Sequence, residues 1–106
     1  MGRFVIAAFK PKPGKTAELL AVVERHWRVL EAEGLVTSRP PYAMHAKDGT
    51  ILEVFEWKSP EAIERAHTNP AVLKLWAEFE GACEYVPLGS LAEASHPFSE
   101  FNPLAF

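Results

Sequence analysis

Two segments of this chain are apolar on both of their alternating sides, and that limits what it can fold into. In Arg3 to Phe9, Phe4, Ile6 and Ala8 fall on one side and Val5, Ala7 and Phe9 on the other. In Thr50 to Trp57, Leu52 and Val54 share a side with Glu56, while Ile51, Phe55 and Trp57 share the other with Glu53. Successive strand residues point to opposite faces, so a strand apolar on both must be covered on both. A chain of 106 residues has room for one modest core. One covering layer can be helical; the other must come from elsewhere.

The helices are marked by their ends. Thr16 to Glu33 carries Leu19, Val23, His26 and Leu30 along one line, with charged residues opposite, and Gly34 follows as a stop. Ser59-Pro60 and Asn69-Pro70 each pair an N-capping side chain with proline at the first helical position. They predict a short helix ending near His67, then a second with Val72, Trp76, Phe79 and Cys83 in line. Tyr42 to Ala46 reads as a strand joined to Thr50–Trp57 by a turn at Lys47-Asp48-Gly49. Tyr85 to Ala92 reads as a fourth strand, at an edge or bulged because of Pro87 and Gly89. The order β–α–β–β–α(α)–β predicts an α+β fold, one antiparallel sheet with helices on one face. The helix-free face is then also apolar, and a second copy packing sheet to sheet is the expected cover. Residues 1–94 form the expected domain. Residues 95–106 form a tail, with His96, three phenylalanines and two prolines, expected to pack on the domain or its dimer partner.

Charge and cysteine usage narrow the partners. A net charge of −3 and a pI near 5.8 argue against nucleic acid and against an anionic membrane surface. The single Cys83 forms no internal disulfide and suits a reducing cytoplasm. The apolar run near Met1 is too short for a span and lacks a secretory layout, and Ile6 stands where myristoylation needs Ser or Thr. No nucleotide loop, nucleophile elbow or paired-histidine metal motif is present, so neither a metal nor a cofactor is expected.

The histidines are the candidate chemistry. His26 lies mid-stripe on the first helix, where an imidazole can serve as a base or orient a phenolic substrate, or be held structurally by a carbonyl or carboxylate. His67 sits at a helix break, where it can cap free carbonyls or line a pocket as acid, base or donor. His45 and Tyr42 fall on opposite faces of a strand and form no pair. Trp27, Phe55, Trp57, Trp76 and Phe79 are candidate pocket walls, though aromatics at such spacing also serve as core. Glu80 flanks the last helix's apolar arc, toward solvent or a pocket. Cys83, without a cationic neighbour, reads as a buried thiol.

FVIAAFKPKPGK and EVFEWKSPEAIERAHTNPAVLKLW resemble the dimeric α+β barrel superfamily, nearest its antibiotic-biosynthesis-monooxygenase-like group, over roughly residues 3 to 92. The resemblance implies a ferredoxin-like protomer with a four-stranded sheet, a homodimer, and a pocket between helices and sheet. It also implies, for some members, cofactor-independent oxygenation of electron-rich aromatics. The family's haem degraders use Asn, Trp and His at positions that fall near Ala7, at His67, and at Trp76 or Ala77, so that activity is not expected. The expectation is a monooxygenase-like enzyme for a small aromatic or apolar molecule; the alternative is a non-catalytic homodimer that binds one.

Overall fold

A computed structural model describes residues 1–105; Phe106, the last phenylalanine of the tail, lies outside them. The elements are β1 (Arg3–Pro11), α1 (Thr16–Ala32), β2 (Tyr42–His45), β3 (Ile51–Trp57), α2 (Pro60–Ala66), α3 (Pro70–Ala82), β4 (Cys83–Tyr85) and β5 (Asn102–Pro103). The strands form one antiparallel sheet in the order β4-β1-β3-β2-β5. The first four strands of that order make the ferredoxin-like arrangement, and β5 extends it by a fifth along the edge of β2. No described helix is long and apolar enough to cross a membrane.

The helix ends follow their local chemistry. Ser59 Oγ accepts the backbone N–H of Ala62 at 3.1 Å, and Asn69 Oδ1 accepts that of Val72 at 3.1 Å. Each satisfies one of the donors that a helix start leaves open. Gly34, at φ 71°, lets α1 end with Gly34 N–H donating to Glu31 O and Leu35 N–H to Leu30 O. That paired closure turns the chain back so that Leu35 and Leu30 enter the same buried cluster.

Register places the side chains. Ala7 pairs with Glu53 and Val5 with Phe55, so Val5, Ala7, Phe9, Ile51, Glu53, Phe55 and Trp57 all face the helices. The main core lies there, around Phe9, Leu19, Val22, Leu75 and Phe79.

Two expectations change. The fourth strand is Cys83–Tyr85, not Tyr85 to Ala92: Cys83 belongs to the strand, and Val86 N–H makes a last bond to Ala8 O. Beyond it Pro87 and Gly89 turn the chain into two 3₁₀ turns, Leu88–Ser90 and Ala92–Ser95. These turns answer the second change. They carry Leu91 across the outer sheet face, where it is buried with Ala8, Ala46 and Leu52 beneath Phe101 and Leu88. The chain's own C-terminal segment therefore covers half of the face expected to need a second copy. The other half stays open, with Phe4, Ile6 and Tyr42 49–73% exposed.

Candidate functional site

The helix layer does not seal the sheet. Between β1, β3, α1 and α3 lies a cavity of about 420 Å³. Val5, Ala7 and Phe9 of β1 and Phe55 and Trp57 of β3 supply its floor, Trp76 and Phe79 of α3 one wall, and His26 of α1 the other. His67, Glu80 and Tyr85 complete it, and all three are exposed, so they mark its rim. Ala7 leaves room here: a small residue on a strand otherwise bearing Val5 and Phe9 on this face makes part of the hollow.

His26 is 5% exposed, and its Nδ1 lies 2.5 Å from Glu53 Oε1, a carboxylate 1% exposed. Burying a carboxylate alone is costly, so the two groups must be read together. The neutral imidazole that donates Nδ1–H to the carboxylate keeps a lone pair on Nε2. That nitrogen is fully buried, with no hydrogen-bond partner among the described residues. The rings of Phe79, Phe55 and Phe9 stand edge-on to the imidazole at 4.9, 5.3 and 6.5 Å between centroids.

His67 follows α2 and donates Nδ1–H to Ile63 O at 2.8 Å, capping the helix end. In the neutral ring that bond selects the Nδ1–H tautomer, with Nε2 free to accept at the rim, and the ring stands edge-on to Trp76 at 5.2 Å. Partial desolvation against the rim pushes the Tyr85 phenol up to about 12, so it stays protonated and can donate near neutral pH. Burial likewise pushes the Cys83 thiol up to about 11, which removes it as a nucleophile.

The structure thus brings His26, His67, Phe55, Trp57, Trp76 and Phe79 to one cavity. Trp27 is not among them. It lines a second cavity, of about 500 Å³, on the far side of Glu53. One helical step separates Trp27 from His26, and that rotation carries its ring toward β2. His45 lies 3.3 Å from Ala46 O on the β2 hairpin, and His96 is exposed in the tail; neither reaches the cavity. No three His, Cys, Asp or Glu side chains converge as a metal site among the described residues.

Sequence reasoning did not pair His26 with Glu53 or place Tyr85 on the rim. A signal for Glu53 was there: it alternates with Ile51, Phe55 and Trp57, so a carboxylate sits on a buried strand face and must find a partner.

No protein family and no curated protein matches the chain in sequence. Two solved structures match it in shape. One is SnoaB, a cofactor-independent oxygenase from Streptomyces nogalater. It has a TM-score of 0.66 at 16% identity, over 80% of this chain and 85% of that one. The other is Rv0793 from Mycobacterium tuberculosis, with a TM-score of 0.64 at 22% identity, over 82% and 87%. The chain shares the ferredoxin-like α+β fold of both structures. The likeness is one of fold, and function is carried by the particular side chains of the cavity.

Proposed function

We propose that the protein is a cofactor-independent monooxygenase-like enzyme acting on a small phenolic aromatic held in the 420 Å³ cavity. The observation that carries this reading is that both histidines border one cavity whose floor and walls are otherwise aromatic and aliphatic, with Glu80 at its rim. A volume of this order suits a small ligand, and few polar groups in an apolar pocket fix its orientation. The fold shared with SnoaB adds support by analogy.

In this reading His67 Nε2 and the Tyr85 hydroxyl take the substrate's polar edge at the rim. An aromatic neighbour of His26 swings aside as the ring enters, and His26 Nε2 accepts the phenolic proton. The Glu53 carboxylate then faces an imidazolium and stabilises it. The phenolate is electron-rich enough to reduce dioxygen directly; a C–O bond forms, and the hydroperoxide loses water. A phenol and one dioxygen give a quinone and one water, so no external reductant enters. The apolar walls keep bulk water from the anion.

The complete enclosure of His26 Nε2 favours a second reading, in which the cavity binds an apolar ligand and catalyses nothing. Oxygen uptake with a panel of hydroquinones and naphthols separates the two. The enzyme reading expects His26→Ala to lower kcat by roughly 10²–10⁴, the usual worth of a general base. It expects His67→Ala to act mainly on KM. Equal rates in wild type and both variants would rule out both histidines; no uptake above the uncatalysed rate in wild type, with ligand still bound, would establish the binder. The open half of the outer sheet face, with Phe4, Ile6 and Tyr42, belongs in this proposal to a homodimer packed sheet to sheet.

A further inference from the structure

Three exposed polar side chains border the mouth of the 420 Å³ cavity, and the proposed reaction leaves one of them, Glu80, without a task. His67 comes from the end of α2, Glu80 from the last turn of α3 and Tyr85 from the end of β4. Glu80 follows Trp76 by four residues on α3, which sets it on the helix face that already walls the cavity. No Lys or Arg lines the cavity among the described residues. Lys12 reaches the same turn of α3, but its Nζ donates to the Glu80 main-chain carbonyl at 2.6 Å and it is not part of the lining.

The hydrogen-bonding capacity of this rim is lopsided. A glutamate carboxylate only accepts. Neutral His67, with its Nδ1–H given to Ile63 O, presents an accepting Nε2. Tyr85 has one O–H to donate. Partial desolvation, joined by Cys83 and Glu80, pushes that phenol up to about 12, so the hydroxyl keeps its proton and the Glu80 charge lies within electrostatic reach of it. A group at the outer edge of a bound ring therefore meets two acceptors, one of them negative, and one donor. A hydroxyl or an ammonium can donate to those acceptors. A carboxylate, sulfonate or phosphate can only accept, finds the single Tyr85 donor, and is repelled by Glu80.

We propose that Glu80 is a specificity-determining residue of this cavity. It favours aromatics whose outer edge carries a hydroxyl or an ammonium group and disfavours those that carry an anionic group there. The inference rests on the cavity being the ligand site proposed above, and it names the class of ligand that site takes. It suits a phenol that enters neutral and becomes an anion only at the buried His26.

The test is equilibrium binding, so it does not depend on turnover. Three probes share a naphthalene ring and carry a hydroxymethyl, an aminomethyl or a carboxylate group at the same position. Calorimetric titration is run in low salt at about pH 8, where an ordinary imidazole is neutral and an alkylamine is charged. An exposed charge pair changes affinity by no more than about fivefold. Wild type should thus bind the ammonium about threefold tighter than the alcohol, and the carboxylate about fivefold weaker. Added salt should shrink both differences. Glu80→Gln keeps an accepting oxygen and removes the charge. It should leave the alcohol within about twofold and bring the ammonium level with it. Glu80→Lys should make the carboxylate the tightest of the three. Equal binding of alcohol and carboxylate in wild type, or an order that Glu80→Lys leaves unchanged, would overturn the assignment while the cavity stayed a ligand site. Failure of all three probes to bind would instead remove the cavity as a site for such rings, and the selectivity with it.

Discussion

Replacing Glu53 by leucine leaves the His26 imidazole buried with its Nδ1–H facing hydrocarbon. The pair is 5% and 1% exposed, so water cannot make good the missing acceptor. A buried neutral donor left without an acceptor costs about 1–3 kcal/mol. Against a total stability of about 5–15 kcal/mol, that is a large fraction. With a urea m-value of roughly 1–3 kcal/mol/M, the midpoint should fall by roughly 1 M. His26→Leu should cost more, about 3–5 kcal/mol, because it strands a buried carboxylate. The double variant His26→Leu/Glu53→Leu replaces both polar groups with hydrocarbon of comparable size, which is often close to neutral. The two costs therefore should not add. The coupling from the cycle should be about 2 kcal/mol or more. Urea unfolding of the four proteins at one fixed protein concentration reads this directly, the fixed concentration removing any contribution from dimer mass action. Additive costs, with a coupling below about 0.5 kcal/mol, would refute the argument that these two groups hold one another.

Three further outcomes follow from the same structure. Ser59→Ala and Asn69→Ala each remove a side-chain acceptor from a helix start and should lower stability by about 1 kcal/mol, read as a drop in urea midpoint at unchanged m. The Cys83 thiol, raised to about 11 by burial, should resist alkylation by iodoacetamide in native protein up to about pH 9 and react promptly once urea unfolds the chain. Ile6→Lys puts a charge on the open half of the outer face and should shift a dimer toward monomer in light scattering, with the 420 Å³ cavity and its ligand binding unaffected.

Much of the fold was legible because its signals are local. Ser59-Pro60 and Asn69-Pro70 mark helix starts through side chains that bond backbone groups three residues on, and Gly34 marks a stop through its own φ. The alternation in Arg3–Phe9 and Thr50–Trp57 placed their faces correctly. The edge was harder: β4 starts at Cys83, where α3 passes directly into a strand without a turn residue between them. The cover of the outer face was harder still, because Leu91 and Phe101 sit in a segment with no period and are recognisable only by what they touch. In the site, His26 stood out as a polar residue on an apolar stripe. Its partner lies 27 residues away on a strand, and nothing in helical spacing points to it.

The sequence by itself determined the three helices with their starts, the first three strands, and which residues of each strand share a face. Periodicity and capping act within a few residues, so one segment suffices to read them. Only the tertiary structure decided which side chains meet. The β1–β3 register sets Ala7 beside Glu53, α1 lowers His26 onto that carboxylate, and α3 brings Trp76 and Phe79 to the opposite wall. The same packing sends Trp27 to a different cavity from its neighbour His26 and folds the C-terminal segment over half of an apolar face. These outcomes depend on helix rotation and on contacts between distant segments, which the order of residues along a single element does not specify.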